Sequence, residues 1–130
     1  LKIAIHKKIN EVNSYNSFCS VKEELEDRFG KLSEDLILYM YEEWFENLAK
    51  KLNVINVLDE KNFVDITLSK EISSKIDGEK LFNEAYHVSR NFRFSYKNGF
   101  IHIILDKIKL EQHYLMYLIG ILIKVKNMVE

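Results

Sequence analysis

Phe92-Arg93-Phe94-Ser95-Tyr96-Lys97-Asn98-Gly99-Phe100-Ile101-His102-Ile103-Ile104-Leu105 decides the fold class of this chain. Two runs rich in β-formers flank Asn98-Gly99, and Asn-Gly is the strongest short-range hairpin signal because both residues tolerate positive φ. Alternation puts Phe92, Phe94 and Tyr96 on one strand face and Arg93 on the other. Upstream, Asp77 is placed to cap a helix running to about Ser89, with Leu81, Phe82, Ala85 and Val88 inward. Before that helix, Phe63-Val64-Asp65-Ile66-Thr67-Leu68 alternates apolar with polar, and Asp59-Glu60-Lys61-Asn62 is a turn cluster. Val54, Ile55 and Val57 form the partner strand of a first hairpin. Downstream, a last helix over about Lys109 to Val129 carries Leu110, Tyr114, Tyr117, Leu118, Ile121, Leu122 and Val125 on one broad side.

The N-terminal half has a helical period. Leu1, Ile5, Ile9 and Val12 recur at helical spacing between Lys2, Lys7, Lys8 and Glu11, and Asn13 to Asn16 ends that helix. Ser20 followed three residues later by Glu23 reads as a capping box for a second helix, which Gly30 closes as its left-handed C-terminal residue. A third helix starts near Ser33. Its apolar residues Leu36, Ile37, Met40, Tyr41, Trp44, Phe45, Leu48 and Leu52 form a stripe broad enough to be packed on more than one side. The expected class is α+β: a helical N-terminal half, then two β-hairpins forming a small, mostly antiparallel sheet packed against helices.

At 130 residues the chain has the size of one domain, expected to span 1–130 and to bury a sizeable core without disulfide or metal. A hydrophobic content of 47% with 30% charged residues is that of an ordinary globular protein. The net charge of −1 offers no basic field for nucleic acid. The single cysteine, Cys19, excludes an internal disulfide and fits a reducing compartment, so cytoplasm is the expected location. The charged, periodic first residues lack the plan of a signal peptide, and the longest apolar run, Tyr114 to Ile123, falls short of the roughly 20 residues that span a bilayer. No membrane association is expected. The chain opens on Leu1 inside a helical repeat, as a domain excised from a longer polypeptide would.

Sites of chemistry are scarce. The glycines at 30, 78, 99 and 120 never form a phosphate-binding loop. His6, His87, His102 and His113 show no metal-ligand spacing with one another or with Cys19, and no serine sits in a nucleophile elbow. Neither an enzyme nor a bound cofactor is expected in this fragment. The abundant carboxylates instead crowd into Glu23-Glu24-Leu25-Glu26-Asp27-Arg28-Phe29-Gly30. On a helix Glu23, Glu24 and Asp27 project together while Leu25 and Phe29 form the apolar stripe. Such a face is either solvated surface or a surface for a basic partner.

The order of features favours the second reading. A basic amphipathic helix (Lys2-Ile3-Ala4-Ile5-His6-Lys7-Lys8-Ile9) precedes a helix closing on Glu24-Leu25-Glu26-Asp27-Arg28-Phe29-Gly30. A long helix then ends at Leu48-Ala49-Lys50-Lys51-Leu52-Asn53-Val54. The chain thereby resembles the C-terminal domain of the bacterial transcription-repair coupling factors, the Mfd translocases. The resemblance covers residues 1 to about 58, with Asp27-Arg28-Phe29-Gly30 its most specific motif; beyond 60 it rests on element order and length. The family commonly has prolines in the turn that follows, where this chain has Lys31-Leu32-Ser33.

The resemblance implies a regulatory domain of a DNA repair translocase. It would dock on the N-terminal UvrB-like module of the same chain, cover the surface that recruits UvrA, and restrain the motor until RNA polymerase is engaged. ATP, Mg and DNA would belong to the parent's motor domains. Glu24 and Asp27 would pair with basic residues of the module. Arg28 and Phe29 would fix the helix end by a salt bridge and by burial, together with Gly30. Glu23 would cap the helix and Glu26 would face solvent. Two other readings stand beside this one: a single-stranded nucleic-acid module using the aromatic strand Phe92, Phe94 and Tyr96, and a purely structural domain of a larger chain.

Overall fold

A computed structural model describes all residues, 1–130, and carries the expected α+β architecture. The residues cluster into two compact units, Leu1–Asn47 and Leu48–Glu130. In the first unit, α1 (Lys2–Lys8) runs into a 3-10 turn (Ile9–Glu11) and is followed by α2 (Tyr15–Phe29) and the bulk of α3 (Glu34–Lys51). Ile5, Ile9 and Val12 are buried as the period requires. Phe18 centres this core, its ring stacked 4.3 Å from Tyr41 and 5.4 Å from Trp44. The indole Nε1 of Trp44 is buried without a hydrogen-bond partner. Polar contacts dress the outside: His6 Nδ1 lies 3.1 Å from Glu43 Oε2, and Asn47 Nδ2 donates to Asn10 Oδ1 at 3.1 Å.

Helix α2 begins earlier than expected. Its N-cap is Ser14, whose Oγ accepts from the Ser17 backbone N–H while Ser17 Oγ accepts from the Ser14 N–H. Ser20 lies inside the helix and donates to the Asn16 carbonyl, so Ser20 and Glu23 make no capping box. The start of α3 agrees with expectation, with Ser33 Oγ accepting from the Leu36 N–H.

The second unit holds one four-stranded antiparallel sheet of order β1-β2-β4-β3, built from β1 (Asn56–Asp59), β2 (Phe63–Thr67), β3 (Phe92–Lys97) and β4 (Phe100–Asp106). Asn98 at φ 54° and Gly99 at φ 87° make the β3–β4 turn, as the Asn-Gly pair dictates. The hairpins are joined by β2 pairing with β4, Ile66 opposite Ile103. Val64, Ile66, Leu68, Ile101, Ile103 and Leu105 are all buried, so one sheet face carries the core.

Three helices complete the unit. A short α4 (Lys70–Lys75), capped by Ser69, was not expected; α5 (Gly78–Val88) is capped by Asp77 as expected; α6 spans Tyr114–Val129. Leu81 and Ala85 of α5 point inward, but Phe82 is 59% exposed. Helix α6 starts five residues after the expected Lys109, which is itself in a left-handed conformation at φ 51°, and His113 caps it. Leu110 therefore lies outside the helix, and Leu115 and Ile119 join Leu118, Ile121, Leu122 and Val125 in the core. The sheet is pinned to α4 by Ser73, the sole buried polar side chain, whose Oγ accepts from the Ile101 N–H at 2.9 Å. No helix is long and apolar enough to cross a membrane.

Candidate functional site at the end of helix α2

Burial of Phe18, Val21 and Leu25 fixes the rotation of α2. At about 100° per residue, Glu23 and Asp27 then fall on its outermost ridge, with Glu24 and Glu26 on opposite flanks. The four carboxylates therefore have three environments, Glu23 and Asp27 sharing the exposed ridge. Glu23 is exposed in mid-helix and caps nothing. Glu24 Oε1 accepts from Lys8 Nζ of α1 at 2.9 Å, and the same ammonium reaches Glu11 at 3.4 Å. The hydrogen bond to Glu24, then the charge of Glu11, holds the Lys8 pKa above the ordinary lysine value.

Glu26 does not face solvent. Its Oε2 accepts from the Leu32 N–H at 3.0 Å and its Oε1 lies 3.8 Å from Lys22 Nζ. The carboxylate thereby straps the turn Gly30–Leu32 to the helix, the restraint that prolines would otherwise supply. Gly30 closes α2 at φ 85° and ψ 178°, a region essentially reserved for glycine, and donates to the Glu26 carbonyl at 2.8 Å. Leu32 is buried just beyond.

Asp27 is exposed and pairs with nothing. Arg28 and Phe29 also differ from expectation. Phe29 is 45% exposed rather than buried, and the Arg28 guanidinium lies over its ring at 5.0 Å instead of on a carboxylate. Phe29 lies only about 40° from the Leu25 line, as the buried Val21 does on the other side, but it is the last residue of α2 and remains exposed there. Of the motif, Gly30 is structural, whereas Asp27, Arg28 and Phe29 are all exposed, with Arg28 and Phe29 stacked and Asp27 on the opposite, outer side of the helix. Sequence reasoning missed Lys8 and Glu26. The basic α1 hinted at the first; the second depends on a side chain reaching six residues ahead, which no helical period reveals.

The aromatic strand looks different. Phe92 is buried, Phe94 half-buried and Tyr96 exposed, so the three rings offer no continuous stacking platform. Arg93 Nε and Nη2 donate to Asp106 Oδ2 and Oδ1 at 2.7 and 2.9 Å, which cancels the strand's cation. No three His, Cys, Asp or Glu side chains come together in a way that could hold a metal ion.

A family model described as the TRCF domain matches residues 1–79, the stretch that contains α1, the α2 motif and α3. The chain belongs to the TRCF domain family. Curated relatives of this TRCF domain include the transcription-repair-coupling factor of Staphylococcus haemolyticus, 27% identical over 110 residues, covering 83% of this chain and 9% of the relative. The Staphylococcus aureus (strain USA300) factor is 26% identical over 106 residues, covering 82% and 9% respectively. The chain thus spans 9% of the length of these relatives. Among solved structures, the crystal structure of the C-terminal domain of a transcription-repair coupling factor matches with a TM-score of 0.69 at 23% identity, covering 98% of this chain and 78% of that one. The fold read from hairpins and helices is therefore the fold of that C-terminal domain, and the resemblance carried by Asp27-Arg28-Phe29-Gly30 is borne out.

Proposed function

We propose that this TRCF domain is the regulatory, autoinhibitory domain of a transcription-coupled repair translocase in the cytoplasm, docking through the end of α2 onto the UvrB-like module of its own chain. The docked domain masks the surface that recruits UvrA and restrains the motor. RNA polymerase and DNA engage the parent protein, and ATP and Mg serve its motor domains.

The observation that carries this reading is Asp27, an exposed, unpaired carboxylate in the last turn of α2, just ahead of a turn held fixed by Gly30 and Glu26. A carboxylate with no internal counter-ion is available to a partner's arginine, and truncating one side of a desolvated pair costs about 2–5 kcal/mol. Glu24 plays a second part, because it must exchange Lys8 for the partner's cation, and a surface ion pair is weak enough to yield. Tethering within one chain supplies a high effective concentration, so a modest interface suffices as a block. Release shifts a pre-existing closed-to-open equilibrium.

The test is the affinity of the 130-residue chain for the separately purified UvrB-like module. Glu24→Lys with Asp27→Lys should leave the circular dichroism unchanged and weaken binding at least about a hundredfold. Wild-type affinity in that variant would remove the assigned site.

A further inference from the structure

The sheet ends in a strand that is paired along one side only, since β3 lies at the end of the order β1-β2-β4-β3. Its free side presents unpaired N–H and C=O groups, which proteins ordinarily blunt with proline, a bulge or an inward charge. None of these is present here. The chain has no proline, and Phe92–Lys97 pairs with β4 residue for residue, without a bulge. The one mid-strand cation, Arg93, is drawn down onto Asp106.

Beside this strand runs a groove of about 550 Å³ between β3 and the segment holding α4 and α5, with Ile76, Phe82, Phe94 and Tyr96 among its walls. Phe82 and Phe94 meet edge to face in the wall, with centroids 6.3 Å apart. Tyr96 is 69% exposed, which leaves a large apolar surface uncovered at the groove's mouth. Cations flank the strand at both ends. Lys97 has no carboxylate partner, and Arg90 sits over the Tyr86 ring at 5.5 Å rather than on an acid. Three carboxylates of α5, its cap and β4 are committed elsewhere, Asp106 to Arg93, Glu84 to Lys124, and Asp77 to the first N–H groups of α5, which leaves Glu79 as the unpaired acid of the first turn of α5.

We propose that this edge is a second interaction surface, separate from the end of α2, which takes an extended segment of a partner protein as a fifth strand on β3. Backbone hydrogen bonds supply the register, and alternate side chains of the segment enter the groove against Phe82, Phe94 and Tyr96. The two flanking cations select a segment that carries carboxylates at its ends and apolar residues at every second position between them.

Selection of random twelve-residue peptides on the immobilised 130-residue chain tests this directly. The expected outcome is enrichment of alternating apolar sequences with acidic ends, and chemical-shift changes at the β3 amides when a selected peptide is titrated. Phe82→Ala with Tyr96→Ala should weaken that peptide at least about tenfold, and so should Arg90→Glu with Lys97→Glu. All four side chains are at the surface, so circular dichroism should be unchanged in both variants. Three outcomes would overturn the proposal: selected peptides lacking that pattern, wild-type affinity for the peptide in either variant, or a concentration-dependent dimer abolished by Tyr96→Ala. The last would make a second copy of the chain the occupant.

Discussion

Ser73→Ala isolates the contact that ties the sheet to α4. The Ser73 Oγ accepts from the Ile101 N–H at 2.9 Å in a buried setting, and the Ile101 carbonyl accepts from the Leu68 N–H, also at 2.9 Å. Deleting the hydroxyl strands a backbone donor away from water, at a cost of about 1–3 kcal/mol. Alanine's better helix propensity returns up to about 0.5 kcal/mol, leaving a net loss of about 0.5–2.5 kcal/mol. Ser74→Ala is the matched control. It gains the same propensity but loses only an exposed bond from its Oγ to the Glu71 carbonyl. The difference between the two variants is therefore about 1–3 kcal/mol, read from urea denaturation at constant m-value. Amide exchange at Ile101 should accelerate in Ser73→Ala more than at Ile103, which lies deeper in the sheet. Variants within about 0.3 kcal/mol of each other, with Ile101 exchange unchanged, would refute the reasoning.

Three further outcomes follow from the same physics. Ser14→Ala should destabilise by about 1 kcal/mol whereas Ser20→Ala should be near neutral, because only Ser14 caps α2; equal effects in thermal melts would contradict that. Gly99→Ala should cost about 1–2 kcal/mol, since alanine is strained at φ 87° and its Cβ would sit 3.4 Å from the Lys70 side chain. In acid, the hydrogen bond from Arg93 holds the Asp106 carboxyl below its ordinary range, and that from Lys124 does the same for Glu84. For Asp59 burial raises the carboxyl, but the bonds from Lys107 and Tyr114 outweigh it. Folded values below unfolded ones mean that this stability is fully present above about pH 4 and is lost as pH falls through the depressed values. Asp106→Asn should flatten that acid limb in a pH series of urea midpoints.

What was legible in the sequence was local. Asn98-Gly99 needs no neighbour to require positive φ, Asp77 caps whatever helix follows it, and the alternation of Phe63–Leu68 is the burial pattern itself. At the start of α2 the local signal pointed to the wrong serine. Ser14 with Ser17 and Ser20 with Glu23 have the same spacing, and the observed cap is the one that starts α2 early enough to bring Phe18 into the core. Helix α4 has only six residues, too short to show a period, and the β2–β4 pairing joins segments far apart in sequence. Phe82 was misplaced because it lies about 100° round α5 from Leu81, on the same exposed flank as Tyr86.

At the candidate site, spacing located the acids but not their partners. Glu23, Glu24, Glu26 and Asp27 are nearly indistinguishable as letters. Structure separates them into two unpaired ridge positions, Glu23 and Asp27, a pair with Lys8 and a strap on Leu32. These distinctions depend on the rotation of α2 about Leu25 and on the position of α1, both tertiary properties.

The docking claim is tested most directly by titrating the isotope-labelled chain with the unlabelled UvrB-like module and mapping the amides that shift. Shifts concentrated on Glu23 to Gly30 and at Lys8, whose ammonium is released from Glu24, are the predicted result. Shifts confined to β3 and α5, with residues 23–30 unmoved, would contradict it.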